Sequence, residues 1–215
     1  MEILDIHSHH EGAQAVMSLS AVDLASKYAA AEEVALNPNQ AYSVGIHPWD
    51  TAGAIDEKAW AILEALATRP EVVAIGECGV DTLKGGPMFK QLLTFKRQLS
   101  LAEMVGKPMI IHDVKGHDIL IGLHRDLAPK VKWAIHGFRY KPTVAEMFTS
   151  RGIYLSMGEQ FNAETLRAIP RELLLAETDE SATPIASIVA TLSEACGSDL
   201  TPTLLANAAR FLADT

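Results

Sequence analysis

Cysteine is almost absent. Only Cys78 and Cys196 occur, in no CxxC or zinc-knuckle spacing, so neither a disulfide framework nor a cysteine metal site is expected. Both are read as small buried apolar residues in a chain from a reducing compartment. Basic charge is also scarce: 18 Lys and Arg stand against 27 Asp and Glu, a net charge of -9. That balance repels a nucleic-acid backbone at long range, so any nucleic-acid contact must be local, helped by cations or a few basic residues. No run approaches the roughly 18 apolar residues of a membrane span, and the opening "MEILDIHS" is acidic where an export signal is basic. A cytoplasmic protein with no membrane contact is expected. No repeat, low-complexity tract or Pro/Gly/Ser-rich linker breaks residues 1–215, which read as a single domain, and nothing signals an obligate protein partner.

The chain does contain eight short apolar segments, with helical patterns between most of them. They are "EILDIH" at 2–7, "AVMSL" at 15–19, "AYSVGIH" at 41–47, "EVVAIGE" at 71–77, "PMIIH" at 108–112, "KWAIH" at 132–136, "GIYLS" at 152–156 and "LLLAETD" at 173–179. Several are continuously apolar, as parallel strands covered on both faces are. Between them, Met88, Leu92, Phe95, Leu99 and Ala102 step by four and three along one helical face that stops at Gly106. "DEKAWAILEALATRP" and "SIVATLSEACG" read as further helices. The first two strands are joined by too few residues for a crossover helix. The pattern predicts an α/β fold, a short (β/α)8 TIM barrel with no helix between its first two strands. An open doubly wound sheet is the alternative.

Polar residues fall where these strands end. His7 and His9 follow the first, His47 the third, Glu77 the fourth, His112 the fifth, His136 the sixth and Asp179 the eighth. In a barrel, all strand carboxyl ends share one rim, so these residues converge. Residues i and i+2 of a strand point the same way, so His7 and His9 can meet one ion while His10 points elsewhere. Imidazoles with two carboxylates suit Zn²⁺, Mn²⁺, Ni²⁺ or Fe²⁺, with Mg²⁺ a further possibility. His7, His9, His112, His136, Glu77 and Asp179 exceed what one open zinc site uses, so two divalent ions are expected. Glu77 is the candidate bridge. His7, His9 and Asp179 join it on one ion, His112 and His136 on the other.

At this point the chain resembles the TatD-like deoxyribonuclease family of the amidohydrolase superfamily. The resemblance rests on "DIHSHH", "VGIHPWD", "VAIGECGVD", "QLLTFKRQLSLAEMVGKPMIIHD", "IHGF", "GIYLSMG", "LLLAETD" and "NAARFL", in the family's order. It implies a TIM barrel, the six metal positions above and phosphodiester hydrolysis. The chain departs from the family pattern after Asp179, where "ETDESATPIAS" lacks the usual proline-led basic loop, and after His112, where Asp113-Val114 replaces a common Ser-Arg pair. Arg139 and Lys141 in "HGFRYKP" are candidate phosphate contacts that offset this loss.

The expected reaction is hydrolysis of DNA or a small phosphodiester by a metal-activated water, with Glu77 and Asp179 as catalytic carboxylates and Asp179 relaying the proton. His47 is a candidate for binding phosphate or protonating the leaving group. Asp81 is read as a carboxylate that orients a ligand histidine, and Trp49 as a surface for base stacking. An amide or ester hydrolase of the same superfamily and a non-catalytic metal-binding barrel are the alternatives.

Overall fold

A computed structural model describes residues 2–213. Eight strands form a closed barrel in sequence order, every neighbouring pair parallel. They are β1 (Asp5–Ser8), β2 (Ala15–Ser20), β3 (Ala41–Gly45), β4 (Val72–Asp81), β5 (Met109–Val114), β6 (Trp133–Ile135), β7 (Tyr154–Met157) and β8 (Leu174–Ala176). Around it run α1 (Ala21–Lys27), α2 (Glu57–Ala67), α3 (Met88–Val105), α4 (His117–Leu127), α5 (Pro142–Thr149), α6 (Ala163–Ala168), α7 (Ile185–Cys196) and α8 (Thr201–Leu212). As the short first connection predicts, no helix separates β1 from β2. Helix stops also follow the chemistry: α3 ends at Gly106 and α7 at Gly197, both left-handed at positive φ, a conformation glycine adopts without a Cβ clash. Among the described residues, no helix is long and apolar enough to cross a membrane.

Two apolar layers hold the barrel. Residues such as Val44, Ile75, Met109, Ile111, Ile135 and Leu155 are buried with Phe95, Trp133 and Phe148 in the layer shared with the helices. The alternate residues Val16, Ala41, Ala74, Ile110, Ala134 and Leu175 form a separate cluster with Ala208 and Phe211 of α8. This alternation defines the inward face of each strand. Cys78 and Cys196 are both free, the first buried and the second half-buried beside the Arg171 guanidinium, Nη1 to Sγ 3.0 Å.

Several strand ends differ from the sequence expectation: β3 ends at Gly45, before His47, and β6 at Ile135, before His136. β4 and β5 continue past Glu77 and His112 because they stay paired through Gly79 and His112, Val80 and Asp113, and Asp81 and Val114. β8 ends at Ala176, and the chain then crosses to β1, where the Asp179 N–H donates to the His7 carbonyl (2.9 Å) and the His9 N–H to the Asp179 carbonyl (3.0 Å). Gly79, at φ 147°, allows the β4–β5 approach, since a Cβ there would overlap the His112 carbonyl. Gly79→Ala should therefore cost about 1–3 kcal/mol as overpacking. Thermal unfolding should register it at roughly 2–4 °C per kcal/mol for a chain of this size. An unchanged Tm would refute the close-approach argument.

Candidate metal centre

On β5, β6 and β8 the inward face points its polar residues into the mouth, whereas His7 and Glu77 lie where β1 and β4 depart from regular register. His112 lies two residues beyond Ile110, His136 two beyond Ala134 and Glu177 two beyond Leu175, so each inherits the inward direction of an apolar residue below it. His7, in β1, is fully buried and His9 emerges just above it. Asp179 stands outside β8 with φ 54°, held by its two backbone hydrogen bonds to β1.

Glu77 is the centre of the arrangement. Its Oε2 faces one group: His7 Nε2 at 3.4 Å and His9 Nε2 at 3.8 Å, and these two nitrogens lie 3.7 and 3.5 Å from Asp179 Oδ1. Its Oε1 faces a second group: His112 Nδ1 and His136 Nε2, both at 2.8 Å, and His47 Nε2 at 3.0 Å. Burial alone would push Glu77 up. His136, His112 and His47 outweigh that and hold it well below the usual carboxylate range. Burial likewise opposes charge on His136, yet Glu77 and Glu177 raise it well above the ordinary imidazole value. His9 moves down, through burial and then the neighbouring His7.

The donor set fits divalent cations. Both ring nitrogens of His7 are buried without a hydrogen-bond partner, a costly state for an imidazole unless something else occupies a lone pair. Among the described residues, ligand atoms lie within 4.8 Å of one another in the sets His7–His9–Asp179, His7–Glu77–His136 and His47–Glu77–His112, and in a further set of His136, Glu177 and Asp179. Two such clusters flank Glu77. His136 stands between them, its ring centroid 4.3 Å from that of His7 and its Nε2 3.4 Å from His112 Nδ1.

His47 belongs to the second set by distance, but its other nitrogen argues for a different role. The Trp49 backbone N–H donates to Nδ1 at 3.1 Å, which leaves the hydrogen on Nε2, pointing at Glu77. A nitrogen that carries a hydrogen donates rather than ligates. Above these groups opens a cavity of about 510 Å³, lined by His9, His47, Trp49, His112, His136 and Asp179 and also by Asp23, Asp50, Glu180 and Arg139. Arg139 is exposed and donates to Gln160 Oε1 (2.7 Å). Lys141 precedes α5, exposed, and does not line this cavity.

Supporting residues surround the centre. Asp81 Oδ2 accepts from the Trp49 indole N–H (2.6 Å) and lies 3.3 Å from His112 Nε2, while Oδ1 accepts from the N–H groups of Leu83 (2.8 Å) and Lys84 (3.0 Å). Burial opposes its charge, but these donors keep its carboxyl below the usual range. Trp49 is half exposed, with the Lys84 ammonium 4.1 Å over its ring. Glu177, Asp5 and Gln98 are among the residues that escaped the sequence reading. Glu177 is fully buried, accepts the Gly137 N–H (2.5 Å) and lies 3.6 Å from His136 Nδ1. Its signal was the two-residue step from Leu175. Asp5 accepts from Thr178 N (3.0 Å) and Thr178 Oγ1 (2.7 Å), and burial pushes it up to about 6 against those bonds. Gln98 brackets Ile46 from α3, accepting its N–H at 2.8 Å and donating to its carbonyl at 3.0 Å, which fixes the backbone before His47.

Comparison with known proteins identifies the family. Residues 4–215 match the family described as TatD related DNase. A protein of Edwardsiella piscicida named 3'-5' ssDNA/RNA exonuclease TatD is 34% identical over 161 residues, 67% of this chain and 62% of that protein. The uncharacterized metal-dependent hydrolase YjjV of Escherichia coli is 30% identical over 153 residues, 66% of this chain and 59% of its own length. The chain thus spans less than two thirds of these curated relatives. The crystal structure of YjjV superposes with a TM-score of 0.72 at 22% identity, covering 93% of this chain and 87% of that one. A TatD family hydrolase from Entamoeba histolytica gives 0.71 at 17% identity, over 92% and 83% of the two chains. At those identities the superpositions speak for the fold alone. With the family match running almost end to end, the chain belongs to the TatD related DNase family.

Proposed function

We propose that this chain, acting as a single domain over residues 1–215, is a metal-dependent hydrolase of phosphodiesters with two divalent cations held on either side of Glu77. The observation that carries this reading is the division of the Glu77 carboxylate, one oxygen toward His7 and His9, the other toward His112 and His136. His7, His9, Asp179 and Glu77 would hold one cation, and Glu77, His112 and His136 the other, from Zn²⁺, Mn²⁺, Ni²⁺, Fe²⁺ or Mg²⁺. Cations held by these residues would supply a water acidified to near neutral pH and would neutralise charge on the phosphoryl oxygens.

The chain's own groups do the rest. Asp179, partly open to the cavity, accepts the proton of the attacking water at its carboxylate. His47 lines the same space, and its Nε2–H, directed at Glu77 Oε1 here, is the hydrogen it would turn to a phosphoryl or leaving-group oxygen. Arg139 offers the cavity lining its guanidinium for the phosphate. Lys141, exposed outside that lining, would contact phosphate only in a longer strand. His47→Ala should retain the cations and lower kcat by about 10²- to 10³-fold, the cost of removing one positioned donor. A fall in cation content instead would make His47 a ligand.

The first experiment measures hydrolysis of bis(p-nitrophenyl) phosphate and of short single-stranded DNA, the polymer suggested by the name of the Edwardsiella relative. Cleavage that needs added Mn²⁺ or Zn²⁺ and stops on chelation is the expected result. The lining also favours a second reading. Asp23, Asp50 and Glu180 outnumber Arg139, which suits weakly charged or cationic amides and esters better than a long polyanion. Turnover of an amide or ester panel without phosphodiester cleavage would replace the first reading by the second.

A further inference from the structure

Trp49 starts two hydrogen-bonded chains, one through His47 and one through Asp81 and His112, that meet at Glu77 Oε1. Its backbone N–H donates to His47 Nδ1 (3.1 Å), and its indole N–H donates to Asp81 Oδ2 (2.6 Å), the oxygen 3.3 Å from His112 Nε2. His47 Nε2 and His112 Nδ1 then both face Glu77 Oε1, at 3.0 and 2.8 Å.

We propose, on the two-cation reading above, that Trp49 and Asp81 are positioning residues that decide which ring nitrogens face Glu77 Oε1. By this arrangement His112 ligates through Nδ1, His136 through Nε2, and His47 stays a donor. The argument is one of hydrogen accounting. Carboxylates face both nitrogens of His112, Glu77 Oε1 at Nδ1 (2.8 Å) and Asp81 Oδ2 at Nε2 (3.3 Å), and a cation can take the place of only one hydrogen; Asp81, which only accepts, would keep the hydrogen on Nε2 and leave Nδ1 to the cation beside Glu77. Asp81 cannot turn away to release that ring. Leu83 and Lys84 N–H groups hold its other oxygen, and Gln91 Oε1 accepts its backbone N–H at 2.8 Å. The indole N–H is the remaining tie, and it points the Oδ2 lone pairs between Trp49 and His112. His136 has the opposite polarity: its Nε2 faces Glu77 Oε1 and its Nδ1 faces Glu177 Oε1 at 3.6 Å. Neighbouring imidazoles on one carboxylate oxygen therefore present different nitrogens, for reasons that lie outside the ligand set.

The exposed edge of Trp49 makes Trp49→Phe a mild change that keeps the ring and the backbone N–H and removes only the indole donor. Asp81→Asn is the companion variant, which keeps the side-chain shape and removes the charge. The measurement is calorimetric Zn²⁺ titration of the full chain without substrate, followed by ¹⁵N NMR of the histidine rings in the Zn²⁺-loaded protein. The wild type should show His112 with a hydrogen on Nε2 and Nδ1 coordinated. Each variant should lose about 10- to 100-fold in affinity at one cation position, with the other unchanged. A merely structural role would weaken both positions together, and that result overturns the proposal. So does wild-type affinity at both positions in both variants, or coordination of His112 through Nε2 in the wild type. Failure of the underlying reading looks different. A wild-type chain that binds no Zn²⁺ removes the metal centre itself, whereas site-selective loss without any phosphodiester cleavage leaves the positioning role standing and removes the proposed activity.

Discussion

Glu77→Gln is expected to leave fewer than one cation per chain against the two expected of the wild type, and to lower phosphodiester hydrolysis by about 10³-fold or more, on the order of 4 kcal/mol of barrier. The reason is geometric. Each carboxylate oxygen serves a different histidine group, so no orientation of a carboxamide satisfies both. Whichever way the amide turns, its NH₂ faces imidazole nitrogens on one side, and the shared negative charge is gone. The glutamine is nearly isosteric, so loss of activity with a native Tm separates chemistry from folding. His112→Ala gives the contrast: it removes a ligand from the Oε1 side only, and should release mainly one cation. Elemental analysis after dialysis checks both variants. Two retained cations in Glu77→Gln would refute the bridging role.

Much of this was legible in the sequence because barrel strands leave a one-dimensional trace. Buried on both faces, β5 and β6 read as the continuous runs "PMIIH" and "KWAIH", and the place of each histidine near the carboxyl end of the barrel follows from where the apolar run stops. The HxH of His7 and His9 carries its own geometry, since alternate strand residues share a face. What was hidden depends on contacts between distant segments. β4 and β5 run past Glu77 and His112 because they pair with each other, which no local pattern in "GECGVD" reveals. In "LLLAETD" two carboxylates compete for the inward direction. Strand alternation from Leu175 would have selected Glu177 as well as Asp179, yet the break of β8 at Ala176 is what sends them to different tasks. The donor character of His47 is set by a backbone N–H, so residue identity could not express it. The buried glutamines of α3 were read past because helical periodicity weighs apolar residues, whereas Gln91 and Gln98 are buried to hydrogen-bond the backbone at Asp81 and Ile46.

Asp179→Asn should lower kcat by about 10²- to 10⁴-fold, the range set by losing a positioned proton acceptor, while the fold stays intact. The backbone makes this a clean substitution. Asp179 sits at φ 54°, a left-handed conformation that asparagine tolerates as readily as aspartate. Its ties to β1 use backbone atoms only, the Asp179 N–H on the His7 carbonyl and the His9 N–H on the Asp179 carbonyl. The side chain is therefore free to change without unfastening β8 from β1. An asparagine oxygen can still turn toward His7 and His9, so cation loss should be partial and smaller than in Glu77→Gln. What the amide cannot do is take a proton near neutral pH. The expected signature is a large fall in kcat at saturating cation with little change in KM or Tm. Wild-type turnover in Asp179→Asn would move the proton acceptor elsewhere in the mouth, and Glu177, buried with one oxygen lacking a partner, would be the next residue to substitute.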